Sequence, residues 1–488
     1  MRKAIRKALE LAERGVDKIV LELPTGYGKT VAAPLLYKKF KAAGLCWKAI
    51  HVFPLRAVLH TTLKRYVEEH PDIQFAYQDG DVTLKDNGYV KDPWFTSEYV
   101  LTTYDSFIHN MLKAPVGEFH KLLSHGRGIH YHWSIAEIYP SCVFLDEVHL
   151  AVEGAKQAAS IGVVVSMLEE MEVPTVVLSA TMGKWKYSLF KDFVFVQLGE
   201  RDEEGAGFVA VKDEEFEKSV GSVEYRVEVV EEGSVSRLAR RKVEEGKRVL
   251  VVVNNLKKVV ALREELRDLR PILIHSMLTR RDRQTAEEEV KRAQLVIGTS
   301  AIEAGVDTSF DVLISDTPSV ESVVQRVGRV CRYGGQCRGE LYFFGEGAEK
   351  LQEVKHWRLP YKEESYVGLL RERAEADPKL AWLYEAIAKA LWIEDIHQLF
   401  KKLGASLFRE GLLVEAAAGH GFEMAFSASL DKLMELGYRE TVDGVELPAE
   451  NGHNVYSFLL DYVERHGELP TIKIPDYVEG VGPAALYE

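Results

Sequence analysis

Over the first 350 residues, short apolar runs alternate with stretches of helical period. The first fifteen residues, MRKAIRKALELAERG, read as an amphipathic helix. One set of runs follows at Lys18–Leu23 (KIVLEL), Lys48–Phe53 (KAIHVF), Tyr99–Thr103 (YVLTT), Cys142–Asp146 (CVFLD) and Pro174–Ser179 (PTVVLS). A second set lies at Arg248–Val253 (RVLVVV), Pro271–His275 (PILIH), Gln294–Gly298 (QLVIG), Asp311–Ser315 (DVLIS) and Glu340–Phe344 (ELYFF). Continuous apolar runs separated by helices predict parallel sheets buried on both faces. Two such sets predict two α/β domains, over residues 1–200 and 201–350. The Gly- and acid-rich stretch Gly199–Gly221 is expected to connect them, with some strand content. From residue 351 to 488 the pattern changes. It is helical over Lys379–Lys402, then punctuated by Gly and acidic. A third, mostly helical C-terminal accessory domain is expected there.

A chain of 488 residues has room for two to four domains, at about 100–200 residues each. Apolar residues make up 46% and charged residues 28%, an ordinary globular balance. The net charge of −13 argues at first against a nucleic-acid binder. However, residues 1–350 carry only −3 and residues 351–488 carry −10. A nearly balanced front portion can hold a local basic groove. Four cysteines are too few for a disulfide scaffold, and Cys331 and Cys337, six apart with no second pair, do not make a zinc site. No apolar run approaches the ~18–20 residues of a membrane span. Glu10, Glu13 and Arg14 interrupt any signal-peptide core, so the cytoplasm is the expected location. Ten Gln and six Asn beside abundant Glu, Lys and Arg suggest a thermophilic source.

The chemistry starts at Leu23–Thr30 (LPTGYGKT), directly after an apolar run and before a helix. That is the setting of a phosphate loop. Pro24, Thr25, Gly26, Tyr27 and Gly28 form the cradle, in which Gly26 and Gly28 let the backbone turn and present N–H groups. The helix N-terminus adds positive potential. Lys29 is expected to reach the β- and γ-phosphates of ATP, and Thr30 to ligate Mg²⁺. The longer form of the motif wants Gly at position 23, where Leu stands; the shorter G-x-G-K-T form is met. Asp146-Glu147-Val148-His149 ends the run CVFL. A carboxylate there, at the carboxyl end of a parallel strand, suits the metal-holding acid. Asp146 is expected to hold Mg²⁺ and Glu147 to orient or deprotonate the attacking water.

With these motifs in place, the chain resembles a superfamily 2 DExH-box helicase over residues 19–344. Pro24–Thr30 is similar to that family's motif I, Asp146–His149 to motif II, and Ser179-Ala180-Thr181 to motif III. Pro54-Leu55-Arg56 and Thr102-Thr103-Tyr104-Asp105 resemble its nucleic-acid-contact motifs. Val251–Asn255, His275-Ser276, Gly298–Asp307 (GTSAIEAGVD) and Gln325–Arg332 (QRVGRVCR) resemble the series in the second domain. The resemblance implies two tandem RecA-like parallel-sheet domains closing on ATP. It implies catalytic roles for Lys29, Asp146, Glu147 and His149. Gln325 would sense the γ-phosphate, and Arg329 and Arg332 would act as arginine fingers. Gly305 and Asp307 would help place the ribose and the closing loop. Arg56, Thr103, Asn255, His275 and Thr299 would contact a strand backbone without reading its sequence. No Gln precedes motif I, so the family's adenine-reading Gln is missing.

The DEVH box, the VVVNN and HSM segments and the EAGVD run look most like the CRISPR-associated helicase of type I interference. That resemblance implies 3′-to-5′ movement on single-stranded DNA, recruitment by an RNA-guided surveillance complex, and work with an HD-type nuclease. About 18 residues precede the first apolar run, and none of the fifteen histidines is followed by Asp. The split form is therefore expected, with the nuclease on a separate chain and no membrane partner. The grouping of His125, His130, His132 and Cys142 is too irregular for a metal site. The alternatives are a DExH RNA helicase, a DNA-repair helicase, or a non-catalytic adaptor on a helicase fold.

Overall fold

A computed structural model describes residues 1–79, 89–118, 121, 130–221, 223–303, 308–370, 378–389, 407–408, 412–448, 453–466 and 469–486. The first 211 residues build α1 (Lys3–Glu13), β1 (Lys18–Glu22), α2 (Lys29–Ala42), β2 (Lys48–Phe53), α3 (Arg56–Glu69), β3 (Phe75–Gln78), β4 (Val90–Lys91), β5 (Tyr99–Thr103), α4 (Tyr104–Met111), β6 (Ser141–Asp146), β7 (Thr175–Ser179), β8 (Val194–Leu198), β9 (Glu203–Gly205) and β10 (Phe208–Val211). The ten strands form one sheet in the order β4-β3-β5-β2-β6-β7-β1-β8-β10-β9. All its pairings are parallel except β9 with β10. Gly199–Gly221 thus does more than connect. Its strands extend the first sheet past residue 200, and a helix, Glu214–Gly221, follows.

The apolar runs are continuous because each strand is covered on both faces. Successive side chains on a strand point to opposite faces. Accordingly Val20, Ile50, Val52, Val143, Leu145 and Val177 lie in one core, while Ile19, Leu21, Ala49, Phe144, Val176 and Leu178 lie in the other. The buried stripe of α1, formed by Ala4, Ile5, Ala8, Leu9, Leu11 and Ala12, closes the second of these cores against α2.

A second sheet is built from β11 (Val223–Val229), β12 (Val249–Val252), β13 (Ile272–Ile274), β14 (Leu295–Gly298), β15 (Val312–Asp316) and β16 (Cys337–Phe344), in the order β11-β16-β15-β12-β14-β13. Every pairing is parallel. The same alternation sends Val249 and Val251 to one core and Leu250 and Val252 to another. Two tandem parallel sheets, as expected, are the body of the molecule.

The tail holds helices Pro378–Lys389, Leu430–Glu435 and His453–His466. The expected helix over Lys379–Lys402 is present as far as Lys389, and the remainder lies outside the described residues. The tail also contains a small sheet, which the periodicity did not predict. Its strands β17 (Leu413–Ala417) and β18 (Ala425–Ser429) are antiparallel, and β19 (Ile472–Lys473) is parallel to β17. Val414, Phe426, Leu433, Ile472 and Val481 share one apolar cluster with faces of both large sheets.

Candidate active site

The topology gathers the motifs. In the first sheet, β5, β2, β6, β7 and β1 are consecutive neighbours. Their carboxyl ends carry Thr103, Pro54-Leu55-Arg56, Asp146, Ser179-Ala180-Thr181 and the Leu23–Gly28 loop respectively. In the second sheet, β13, β14, β12 and β15 are neighbours, and their ends carry His275, Thr299, Asn254-Asn255 and Asp316. Ligands of open parallel sheets bind beyond the carboxyl ends of the strands.

Between β1 and α2 the backbone turns through left-handed Gly26 (φ 82°) and Gly28 (φ 96°), conformations that glycine takes without penalty. Lys29 is buried. Its ammonium donates to the Leu23 carbonyl at 2.9 Å and lies 3.7 Å from Glu147. The Thr30 hydroxyl donates to Asp146 Oδ2 at 2.9 Å. Asp146 Oδ1 is buried without a hydrogen-bond partner. A spare anionic oxygen beside a hydroxyl fits a small, hard cation, so this pair suits Mg²⁺. The Tyr27 side chain does not face the cradle. It is 1% exposed, and its hydroxyl accepts the Ala4 N–H at 3.0 Å and donates to Asp213. Its ring lies under the Arg2 guanidinium. Tyr27 thus anchors the loop to α1, and its own N–H is committed to the Pro24 carbonyl at 3.1 Å.

Glu147 sits at φ 46°, a left-handed conformation in which a side chain is strained. Burial raises its pKa, and the Asp146 charge adds to the rise against the pull of Lys29. Its Oε2 has no hydrogen-bond partner. His149 is buried, and its pKa is pushed down to about 3 by burial and by Lys29, so the ring is neutral. One nitrogen, Nδ1, lies 3.0 Å from the Ser179 hydroxyl, which joins motif II to motif III. Sequence reasoning missed His51. It is fully buried on β2, with Nε2 3.5 Å from Asp146 Oδ2 and Nδ1 3.2 Å from the Tyr99 hydroxyl. Nothing in an apolar run such as KAIHVF marks one polar member as lying beneath the site.

The opposite wall is the helix Val320–Val327 and the loop after it. Gln325 Oε1 meets the Thr25 hydroxyl at 3.4 Å, and Gln325 Nε2 is buried without a hydrogen-bond partner. A Cβ on Gly328 would come within 3.2 Å of Thr25, so this turn packs on the phosphate loop. Arg329 is buried and donates to the Glu303 carbonyl. The Arg332 backbone N–H donates to the Ser309 hydroxyl at 3.0 Å. The third arginine of the run, Arg326, is a structural group. It is 0% exposed and bonds Glu303, Asp316, Ser315 and Asn254. Sequence reading also missed a disulfide between Cys331 and Cys337. Gly305 and Asp307 lie outside the described residues.

The five expected strand contacts divide. Asn255 is exposed and caps the helix Leu256–Glu265, accepting from Lys257 N–H at 2.9 Å. Thr103 and Thr299 are buried caps of the segments that follow them. Arg56 donates to Ser427 of the tail at 2.6 Å. His275 departs from the expectation of a strand contact. It is 1% exposed, with Nε2 2.9 Å from the Val481 carbonyl and Nδ1 accepting the Met277 N–H at 3.2 Å. The tail takes Nε2 through Val481, and Met277 of the same lobe takes Nδ1. His130 pairs with Glu118 at 2.9 Å, and His125 lies outside the described residues. Among the described residues, no three His, Cys, Asp or Glu side chains converge as a metal site, and no helix is long and apolar enough to cross a membrane.

Two tandem parallel sheets whose motif-bearing ends meet at Thr25 and Gln325 define the class of helicase-type ATPases, and known proteins share it. Residues 2–188 match the DEAD/DEAH box helicase family, and residues 245–335 match the C-terminal part of the CRISPR-associated nuclease/helicase Cas3 family. The chain therefore carries a DEAD/DEAH box helicase domain followed by a Cas3-like helicase segment. Its relatives include the CRISPR-associated helicase Cas3 of Thermoproteus tenax, 26% identical over 349 residues, covering 69% of this chain and 57% of that protein. The CRISPR-associated nuclease/helicase Cas3 of Methanothermobacter thermautotrophicus is 27% identical over 344 residues, covering 65% and 39%. The chain thus spans from two-fifths to somewhat over half the length of these two relatives. Among solved structures, T. fusca Cas3-AMPPNP superposes with a TM-score of 0.59 at 13% identity, covering 88% of this chain and 64% of that one. The DUF1998 helicase MrfA bound to DNA gives 0.59 at 15%, covering 90% and 63%. These structural likenesses show the shared fold.

Proposed function

We propose that this chain is an ATP-driven, 3′-to-5′ translocase on single-stranded DNA in type I CRISPR interference. In that role it works with an HD-type nuclease on a separate chain and an RNA-guided surveillance complex. The reading rests chiefly on one observation: Lys29, Thr30, Asp146 and Glu147 converge on one side of a cleft whose other wall carries Gln325 and Arg329. In this reading residues 1–200 are the ATP-binding domain, 201–350 the second motor domain and 351–488 the accessory domain. Lys29 binds the β- and γ-phosphates. Thr30 and Asp146 hold Mg²⁺, which when bound neutralises charge on the phosphate oxygens. Glu147 orients the attacking water and accepts its proton, a task that a raised carboxyl pKa suits near neutral pH. Neutral His149 passes the state of the site to Ser179. Gln325 reports the γ-phosphate, and Arg329 and Arg332 stabilise the charge that develops on it. Strand contacts come from Arg56, Thr103, Asn255 and Thr299.

The test is ATP hydrolysis by the purified chain with and without single strands. Single-stranded DNA is expected to raise the rate, and Lys29→Ala to abolish it. Stimulation by RNA alone would reject the DNA reading, and no hydrolysis with any strand would favour an adaptor.

A further inference from the structure

Residues Gly328–Cys337, which carry Arg329 and Arg332 from the helix Val320–Val327 to β16, are held from several sides. Phe310 N–H donates to the Arg329 carbonyl at 2.9 Å, and Cys331 N–H donates to the Phe310 carbonyl at 3.0 Å. The Tyr225 hydroxyl donates to the Val330 carbonyl at 3.1 Å. Cys331 stands at φ 51° and is bonded to Cys337. The remaining support comes from outside the sheet. Arg358, 9% exposed, donates through Nη2 to the Val330 carbonyl at 2.7 Å and through Nη1 to the Arg332 carbonyl at 3.1 Å.

Two features set this arginine apart. Its described hydrogen bonds go to backbone carbonyls and to the Tyr225 hydroxyl, whereas Arg326 is matched by Glu303 and Asp316. Burying a cation on neutral acceptors is costly, so such a group has to be held in place by its surroundings. Those surroundings bridge both lobes. Trp357 packs in the second-sheet core with its ring tilted against Phe343 at 5.9 Å, while Leu359 packs in the first-sheet core. Farther along, the Tyr366 hydroxyl donates to the Ala180 carbonyl at 3.4 Å, inside motif III. A planar guanidinium spanning the carbonyls of residues 330 and 332 fixes the direction of the peptides on either side of Cys331. The Arg332 side chain leaves the backbone at one of the two clamped residues.

We infer that Arg358 is a positioning residue for hydrolysis. It holds the loop so that Arg329 and Arg332 meet the transferring phosphoryl group, from a strap that also touches motif III. This rests on the proposed roles of those two arginines. A displacement of about 1 Å at a catalytic group can cost on the order of 100-fold in rate. Arg358→Gln is therefore expected to lower kcat for strand-stimulated ATP hydrolysis by about 10- to 100-fold, with KM for ATP little changed. Arg358→Lys, which can reach one carbonyl but not both in a fork, should fall between wild type and Gln, and it serves if the Gln variant does not fold. The decisive arm is Arg332→Ala with and without Arg358→Gln. If Arg358 acts through this loop, the double variant loses less than the product of the two single losses, because the part that runs through Arg332 is already gone. Multiplying losses, or a wild-type kcat in the folded Arg358 variants while Arg329→Ala and Arg332→Ala are impaired, overturns the proposal alone. Wild-type kcat in both Arg329→Ala and Arg332→Ala overturns the functional reading, and the proposal with it.

Discussion

Arg326 and Arg332 belong to one motif yet should fail in opposite ways. Arg326→Met removes five hydrogen bonds: to Glu303 at 2.7 Å, to Asp316 Oδ1 at 2.7 Å and its carbonyl at 3.1 Å, to Ser315 at 2.8 Å and to Asn254 at 2.7 Å. Methionine fills much of the volume, so the main loss is electrostatic. Glu303 stays buried with its principal cation gone, and burial already raises its pKa. Breaking a buried pair from one side costs about 3–5 kcal/mol. For a lobe of about 150 residues, each kcal/mol lowers the midpoint by roughly 2–4 °C. The expected fall in thermal midpoint is therefore roughly 6–20 °C. Arg332→Ala, on a half-buried loop residue, should change the midpoint little and cost most of kcat. Differential scanning calorimetry with ATPase assays on both variants separates these outcomes. An Arg326→Met midpoint within about 2 °C of wild type, less than even 1 kcal/mol would produce, refutes the assignment of this arginine to structure.

Glu147→Gln keeps the size of the side chain and removes the base, so hydrolysis should drop at least 100-fold, on the scale of about 10²–10⁴ for general-base loss, while ATP binding persists in a filter assay. The raised pKa of Glu147 means that it takes up a proton at higher pH than an ordinary carboxylate. In wild type the acid limb of kcat against pH should therefore lie above the usual carboxylate range; a limb at or below pH 4 argues against Glu147 as the base. Tyr27→Phe strips a hydroxyl from the buried Ala4 N–H and Asp213. A loss of about 1–3 kcal/mol follows from leaving such groups unsatisfied, readable in urea unfolding; an unchanged midpoint would count against the anchor. His275, buried beneath the tail, has its pKa pushed down to about 4. A folded-state pKa below that of the unfolded chain gives stability present above about pH 6.5 and lost as pH falls toward 4. By pH 5 the loss is about 2 kcal/mol, and His275→Asn should lose less than wild type between pH 7.5 and 5.

The strands and the phosphate loop were legible because their signals are local. An apolar run such as KIVLEL followed by Gly26 and Gly28 states both the strand and the turn. What stayed hidden depends on chain returning from far away. His275 ends a strand, as a strand-contacting residue should, and only Val481, 206 residues later, makes it a buried acceptor–donor. The order of arginines in QRVGRVCR does not say which one points inward; Glu303 and Asp316 decide that for Arg326. Tyr27 sits among cradle residues by sequence, but Asp213 draws its side chain away. The small tail sheet escaped because β17 (LVEAA) and β18 (AFSAS) are not continuous apolar runs, and β19 joins them across more than forty residues.

The tail's charge now has a partial use. Glu415 pairs with Arg280 at 3.3 Å and Glu479 with Arg281 at 3.0 Å. Asp282 returns the contact by accepting from the Tyr477 hydroxyl and the Gly480 N–H, both at 2.8 Å. Exposed ion pairs contribute only about 0–1 kcal/mol each, so these cannot be what holds 138 residues in place. The apolar cluster can. Leu433, Met434, Val481 and Leu486 are buried in a core continuous with Val251 and Ile297 of the second sheet and Val143 of the first. Burying a large aliphatic side chain is worth about 1.5–3 kcal/mol, so a few such contacts outweigh all the ion pairs together. The charges therefore orient the tail while apolar burial keeps it. Salt should weaken the ion pairs without detaching the tail, whereas deleting the tail would expose core on both lobes. A strand reaching Arg56 must compete with Ser427 or run beside it, which places the tail at the edge of the proposed strand path rather than apart from it.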